Sequence, residues 1–152
     1  MPVIAEARLP RQPDLTLKPR EVVKIQLQGL QYNNNPTVDA GIAQTWAFAH
    51  PANRRVIGPY KRFAEMLKGP SYGMLLYHQS HWIERIVQTP KMALFRVLMV
   101  AADGTDASLK WQVAEVDSEE FTGAWMTIGV SMPTKARDAI CGFLRGGKFA
   151  RE

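Results

Sequence analysis

From residue 19 onward the apolar positions recur every three or four residues, and past Tyr72 every second residue, so the pattern predicts helices followed by strands. Val23, Leu27 and Leu30 fall at i, i+4 and i+7 of a helix from Pro19 to about Tyr32. Proline is tolerated in its first turn, and Glu21 suits the helix dipole there. Asn33, Asn34, Asn35 and Pro36 break this helix. A second is expected from Val38 to about Ala49, capped by Thr37, with Ile42, Trp46 and Ala49 on one face and His50-Pro51 as its end. Gly58-Pro59 and Gly69-Pro70 bracket a third, Tyr60 to Lys68, with Phe63, Met66 and Leu67 apolar.

His78 to Val87 reads as the first strand, turning through Thr89, Pro90 and Lys91 into Met92 to Ala101. That second run is apolar on both faces apart from Arg96, the pattern of a central strand. Asp103-Gly104 predicts a turn into Leu109 to Val116, where Leu109, Trp111 and Val113 share one face and Lys110 and Gln112 the other. In the last strand, Ala124 to Met132, Met126, Ile128 and Val130 alternate with Trp125, Thr127 and Gly129. A helix from Thr134 to Leu144 follows. Helices and then four meandering strands make an α+β fold, since a parallel sheet would need helices between its strands. The expected organisation is an extended or disordered arm (1–18), one α+β domain (19–133) and a basic C-terminal helix and tail (134–152).

A length of 152 residues suits one domain with one core, and 46% apolar residues are enough to build it. The single cysteine, Cys141, makes no intrachain disulfide and no thiolate-rich zinc site, which suits a reducing compartment. The longest apolar run, Met92 to Ala102, carries Arg96 and falls short of the ~20 residues of a spanning helix. Residues 1–18 hold Glu6 and three prolines and lack the apolar core of a secretion signal. The net charge of +5 is scattered, with much of the excess after residue 134, which argues against nucleic acid as the partner.

Several stretches carry a resemblance: Pro19-Arg20-Glu21-Val22-Val23-Lys24-Ile25-Gln26-Leu27, Pro36-Thr37-Val38-Asp39-Ala40-Gly41-Ile42, Phe48-Ala49-His50-Pro51-Ala52-Asn53-Arg54, then Gly58-Pro59 with Phe63, and Trp125-Met126-Thr127-Ile128-Gly129-Val130. Across about three quarters of the chain it resembles an uncharacterised domain family of photosynthetic bacteria and plants. That family looks like a member of the nuclear transport factor 2-like superfamily, the ketosteroid-isomerase-like cone fold. The resemblance implies a cystatin-like cone, with helices packed on a curved four-stranded sheet and a pocket at its wide end. The superfamily holds isomerases, dehydratases, cyclases, hydrolases, transport factors and subunits without chemistry, so the fold alone implies no reaction. The ketosteroid isomerase mechanism does not transfer, because Tyr32 ends helix one and Asp39 lies in a capping region.

Two functions are expected from such a cone. One is binding of an apolar small molecule, or acid–base chemistry on it of the isomerase, cyclase or dehydratase type, with no metal or cofactor. The other is a non-catalytic homodimeric scaffold that binds a protein partner through the open sheet face. For chemistry the candidates are His50 and His78, whose imidazoles titrate near neutrality, together with Tyr60. For ligand contact they are Trp46, Tyr72, Trp111 and Trp125, aromatics of the kind that line pockets, and Arg96, a cation on an apolar strand. His78 and His81, three apart, would face opposite sides of a strand but the same side of a turn. The discriminating feature is whether the cone is hollow: a cavity of ~300 Å³ or more with convergent polar groups argues for a ligand, and one filled by Met74, Leu75, Leu76 and the tryptophans argues for a scaffold.

Overall fold

The computed structural model describes residues 10–117 and 120–135. Four helices come first: α1 (Pro19–Gln31), α2 (Ala40–Ala47), α3 (Pro51–Ile57) and α4 (Tyr60–Leu67). A 3₁₀ turn, Gly73–Leu75, leads into β1 (Ser80–Gln88), β2 (Met92–Val100), β3 (Asp106–Glu115) and β4 (Trp125–Val130). The strands pair antiparallel in the order β1-β2-β3-β4, an open, curled meander. This is the α+β class that the hydrophobic pattern predicts.

The first helix forms where the pattern places it. Pro19 opens it, the Lys18 backbone N–H donates to Glu21 Oε1 at 2.8 Å, and Val22, Val23, Gln26, Leu27 and Leu30 make its buried stripe. Helix α2 crosses α1 at close range. A Cβ built on Gly41 would stand 1.8 Å from the Gly29 carbonyl oxygen, so the two helices touch main chain to main chain. The N-terminus of α2 is served by Asn33, fully buried, whose Oδ1 accepts from the Ile42 N–H and whose carbonyl accepts from Gly41.

Strand β2 lies between β1 and β3 and buries Ala93, Phe95, Val97 and Met99 toward the helices while Leu98 is buried on the opposite face. Register pairs Phe95 with Trp111 and Val97 with Leu109, so the predicted Leu109, Trp111, Val113 face is the core face. Gly104, at φ +90, makes the predicted turn before β3.

Five local expectations are corrected. Helix α2 starts at Ala40 with Asp39 as its N-cap, not at Val38 behind Thr37. His50-Pro51 does not simply end a helix: Pro51 is the first residue of α3, with proline at the position where its missing N–H costs nothing. His78 precedes β1 rather than opening it. A bulge in β4 leaves Ile128 as the extra residue, so that Val130 pairs with Trp111 and faces the helices with Thr127, not with Met126. Thr134 pairs with Ser108 in extended backbone instead of beginning a helix, and the remainder of that expected helix lies outside the described residues. In the arm, Arg11 exchanges backbone hydrogen bonds with the Gln44 carboxamide, at 2.7 and 3.0 Å.

Candidate functional site

The concave side of the sheet is not filled. A cavity of about 210 Å³ lies between the four helices and the β3–β4 half of the sheet. Leu30, Phe63, Leu67 and Leu75 form an apolar wall, all buried. Asn53 and Ile57 of α3, Met66 of α4, Tyr72, Gly129 and Val130 are partly exposed and form the rim. Ile57, Met66 and Tyr72 also line a shallow outer depression, which makes this side the entrance.

The floor is polar and closed on itself. Gln26 of α1 projects from the apolar stripe to the sheet, where its Oε1 accepts from Trp111 Nε1–H at 3.0 Å and from the Thr127 hydroxyl. Its Nε2 donates to the Thr45 carbonyl at 2.9 Å, and Thr45 Oγ1 donates to the Gly41 carbonyl at 2.9 Å. Trp111 Nε1–H is shared with Thr127 Oγ1 at 3.1 Å. At the rim, Tyr72 Oη donates to the Val130 carbonyl at 3.0 Å.

Edge strand β4 is covered on its free side. The Ala49–Thr127 bridge is parallel, with Thr127 N–H donating to the Phe48 carbonyl and His50 N–H to the Thr127 carbonyl, both at 2.8 Å. This holds α2, α3 and β4 in one frame around the cavity.

Of the residues expected from sequence, Tyr72 and Trp111 line the cavity. His50 caps α3, its Nδ1 accepting from the Ala52 N–H at 3.1 Å. Partial burial lowers its pKa, opposed by the Glu115 carbonyl and the Asp117 carboxylate. Trp46 and Tyr60 lie one layer behind the wall. Their ring centroids are 5.9 Å apart, and Trp46 packs on the wall residue Phe63 at 5.1 Å. Burial, helped by Asp39, raises the Tyr60 phenol. Arg96 is on the sheet's other face, where its Nη1 pairs with Glu84 Oε1 at 3.1 Å. Trp125 lines a separate groove with Arg20, Arg85 and Phe95.

His78 and His81 meet, as their turn spacing allows. Tyr77, at φ +62, turns the chain so that His78 Nε2 lies 2.8 Å from His81 Nδ1, and His78 Nδ1 lies 2.7 Å from the Leu75 carbonyl. A carbonyl only accepts, so His78 carries its proton on Nδ1, and its Nε2 accepts a hydrogen bond from His81 Nδ1–H. His81 Nε2 is then a buried lone pair without a partner. Burial first, and then His78 and Lys24, push His81 down to about 4. Among the described residues no three His, Cys, Asp or Glu side chains converge as metal ligands, and no helix is long and apolar enough to cross a membrane.

Sequence reasoning missed Gln26, Asn53 and Thr127. Gln26 had a signal, a carboxamide on an otherwise apolar stripe. Comparison with known families, with characterised proteins and with solved structures finds no match.

Proposed function

We propose that this protein binds a small, largely apolar organic molecule in the cavity above Gln26, Trp111 and Thr127. The carrying observation is the unfilled space itself, walled by buried leucines and Phe63 and open at one rim. An apolar void in a packed interior forfeits dispersion contacts, and an occupant restores them. At about 210 Å³ it is smaller than a drug-sized pocket, whereas a dry cavity of about 150 Å³ already takes benzene. The fitting ligand is therefore one ring with short substituents.

Binding without chemistry is the better-supported form of this reading. The described lining contains no carboxylate, imidazole, amine or thiol. Its one titratable group is Tyr72, and burial raises that phenol, so it stays protonated at neutral pH. We also take the chain as a member of the nuclear transport factor 2-like superfamily. The order of helices and meander, and a cavity on the concave side, support this.

The test is native mass spectrometry of the chain as purified, beside the variant Ala49→Leu, since Ala49 is buried and also lines the cavity. A retained small molecule that disappears in the folded variant is the expected result. A clean apoprotein whose melting temperature responds to no apolar fragment would remove the proposal.

A further inference from the structure

The polar groups of the cavity are almost all committed to one another. Gln26 Oε1 accepts two hydrogen bonds and its Nε2 donates one to a backbone carbonyl. The Thr45, Thr127 and Tyr72 hydroxyl protons are given to Gly41, Gln26 and Val130. Asn53 is different. It lines the rim on α3, half-buried, and among the described residues its carboxamide makes no hydrogen bond. Because His50 caps α3 just before it, this side chain is held on a fixed turn of helix.

We infer that Asn53 is the polar anchor of the site and that the ligand is a neutral ring compound with an adjacent donor and acceptor, a carboxamide, lactam or cyclic imide. This rests on the binding role proposed above. An asparagine carboxamide offers N–H and C=O side by side, and a second amide answers both in one planar pair. A lone hydroxyl satisfies one end and leaves the other unpaired, at a cost. A carboxylate or ammonium would enter a wall with no charge to meet it, and burying an unpaired ion is far costlier than burying an amide. The ring then lies inward against Leu30, Leu75 and Trp111, and the amide stays at the half-wet rim. Asn53 thus acts on specificity and not on any bond being made or broken.

The experiment follows the Trp111 indole N–H signal by NMR while wild type and Asn53→Leu are titrated with toluene, benzamide, benzoate and benzylamine. Benzamide is expected to bind about tenfold tighter than the other three. Asn53→Leu, which keeps the bulk and suits a helix, should remove that advantage and leave toluene within about twofold of wild type. Equal binding of toluene and benzamide, or benzamide binding untouched by the substitution, overturns the inference and leaves the cavity reading standing. Preference for benzoate or benzylamine overturns the neutral class. If no probe moves the Trp111 signal, the cavity reading fails and this inference with it.

Discussion

Gln26 and Thr127 stand 101 positions apart in the chain and are joined by a hydrogen bond beneath the cavity, with Trp111 donating to both. Removing Gln26 takes one hydrogen bond from each of Trp111, Thr127 and the Thr45 carbonyl, and leaves the Thr127 hydroxyl without its acceptor. Gln26→Leu should destabilise the fold by about 2–4 kcal/mol in urea unfolding, since each unmet buried group costs about 1–3 kcal/mol and neighbours do not add fully. In a double-mutant cycle with Trp111→Phe the pair should lose less than the sum of the single losses. Strict additivity would mean that the floor is not a connected unit.

The histidine pair makes a pH-dependent contribution. Both imidazoles are held below their ordinary value by burial, His81 down to about 4. An unfolded chain takes protons below about 6.5 that the folded one refuses, so stability falls as pH drops from about 6.5 to about 4 and levels off for this group below that. The share from His81 is roughly 3 kcal/mol at most. His81→Gln keeps a donor for His78 Nε2 and cannot titrate, so its urea midpoint should vary less over that window. Parallel profiles for the two proteins would exclude His81 as the source.

Arg54 ties the end of α2 to the start of the next helix. Its Nη2 donates to the Trp46 carbonyl at 2.7 Å, and its guanidinium sits 4.7 Å from the centroid of the Trp46 ring. Arg54→Lys should cost about 1 kcal/mol or more, because an ammonium cannot both stack flat and cap the carbonyl. A thermal melt reads it, and a wild-type melting point would show that a point charge suffices.

The contact between the first two helices predicts unequal outcomes for two glycines. Gly41→Ala drives a methyl into the Gly29 carbonyl and should cost about 3 kcal/mol. Gly29→Ala meets Gln44 Cβ at 3.3 Å and the Gly41 carbonyl at 3.4 Å, tight contacts rather than an overlap, and should cost less, about 1 kcal/mol. Denaturant midpoints of both variants decide it, and equal losses would contradict the main-chain contact.

Elements that bury a periodic stripe were legible in the sequence. Helix α1 announces itself through Val23, Leu27 and Leu30, and β2 through two apolar faces. Helix α3 was not, because none of its residues is buried and its proline looks like a stop. The β4 bulge escaped for another reason. Strict alternation puts Val130 beside Met126, and only pairing with β3 inserts the extra residue that turns it to the cavity. The candidate aromatics divided on the same principle: Trp111 and Tyr72 face the cavity, whereas Trp46 is separated from it by Phe63. Periodicity reports that a residue is apolar-facing, and the packing of the helices decides which space it faces. Nothing local to Gln26 foretells partners on β3 and β4.

The close crossing of α1 and α2 leaves one side of the cavity with less freedom to adjust. With Gly41 against Gly29, the two helices already touch and cannot move closer together, and Leu30 and Thr45 are carried on that side. On the binding role proposed above, descendants of this chain that came to hold different molecules would record the change on the opposite bank, at Asn53, Ile57 and Met66. Divergence concentrated at those three positions, beneath an unchanging glycine pair, would be the historical trace of a shift in ligand.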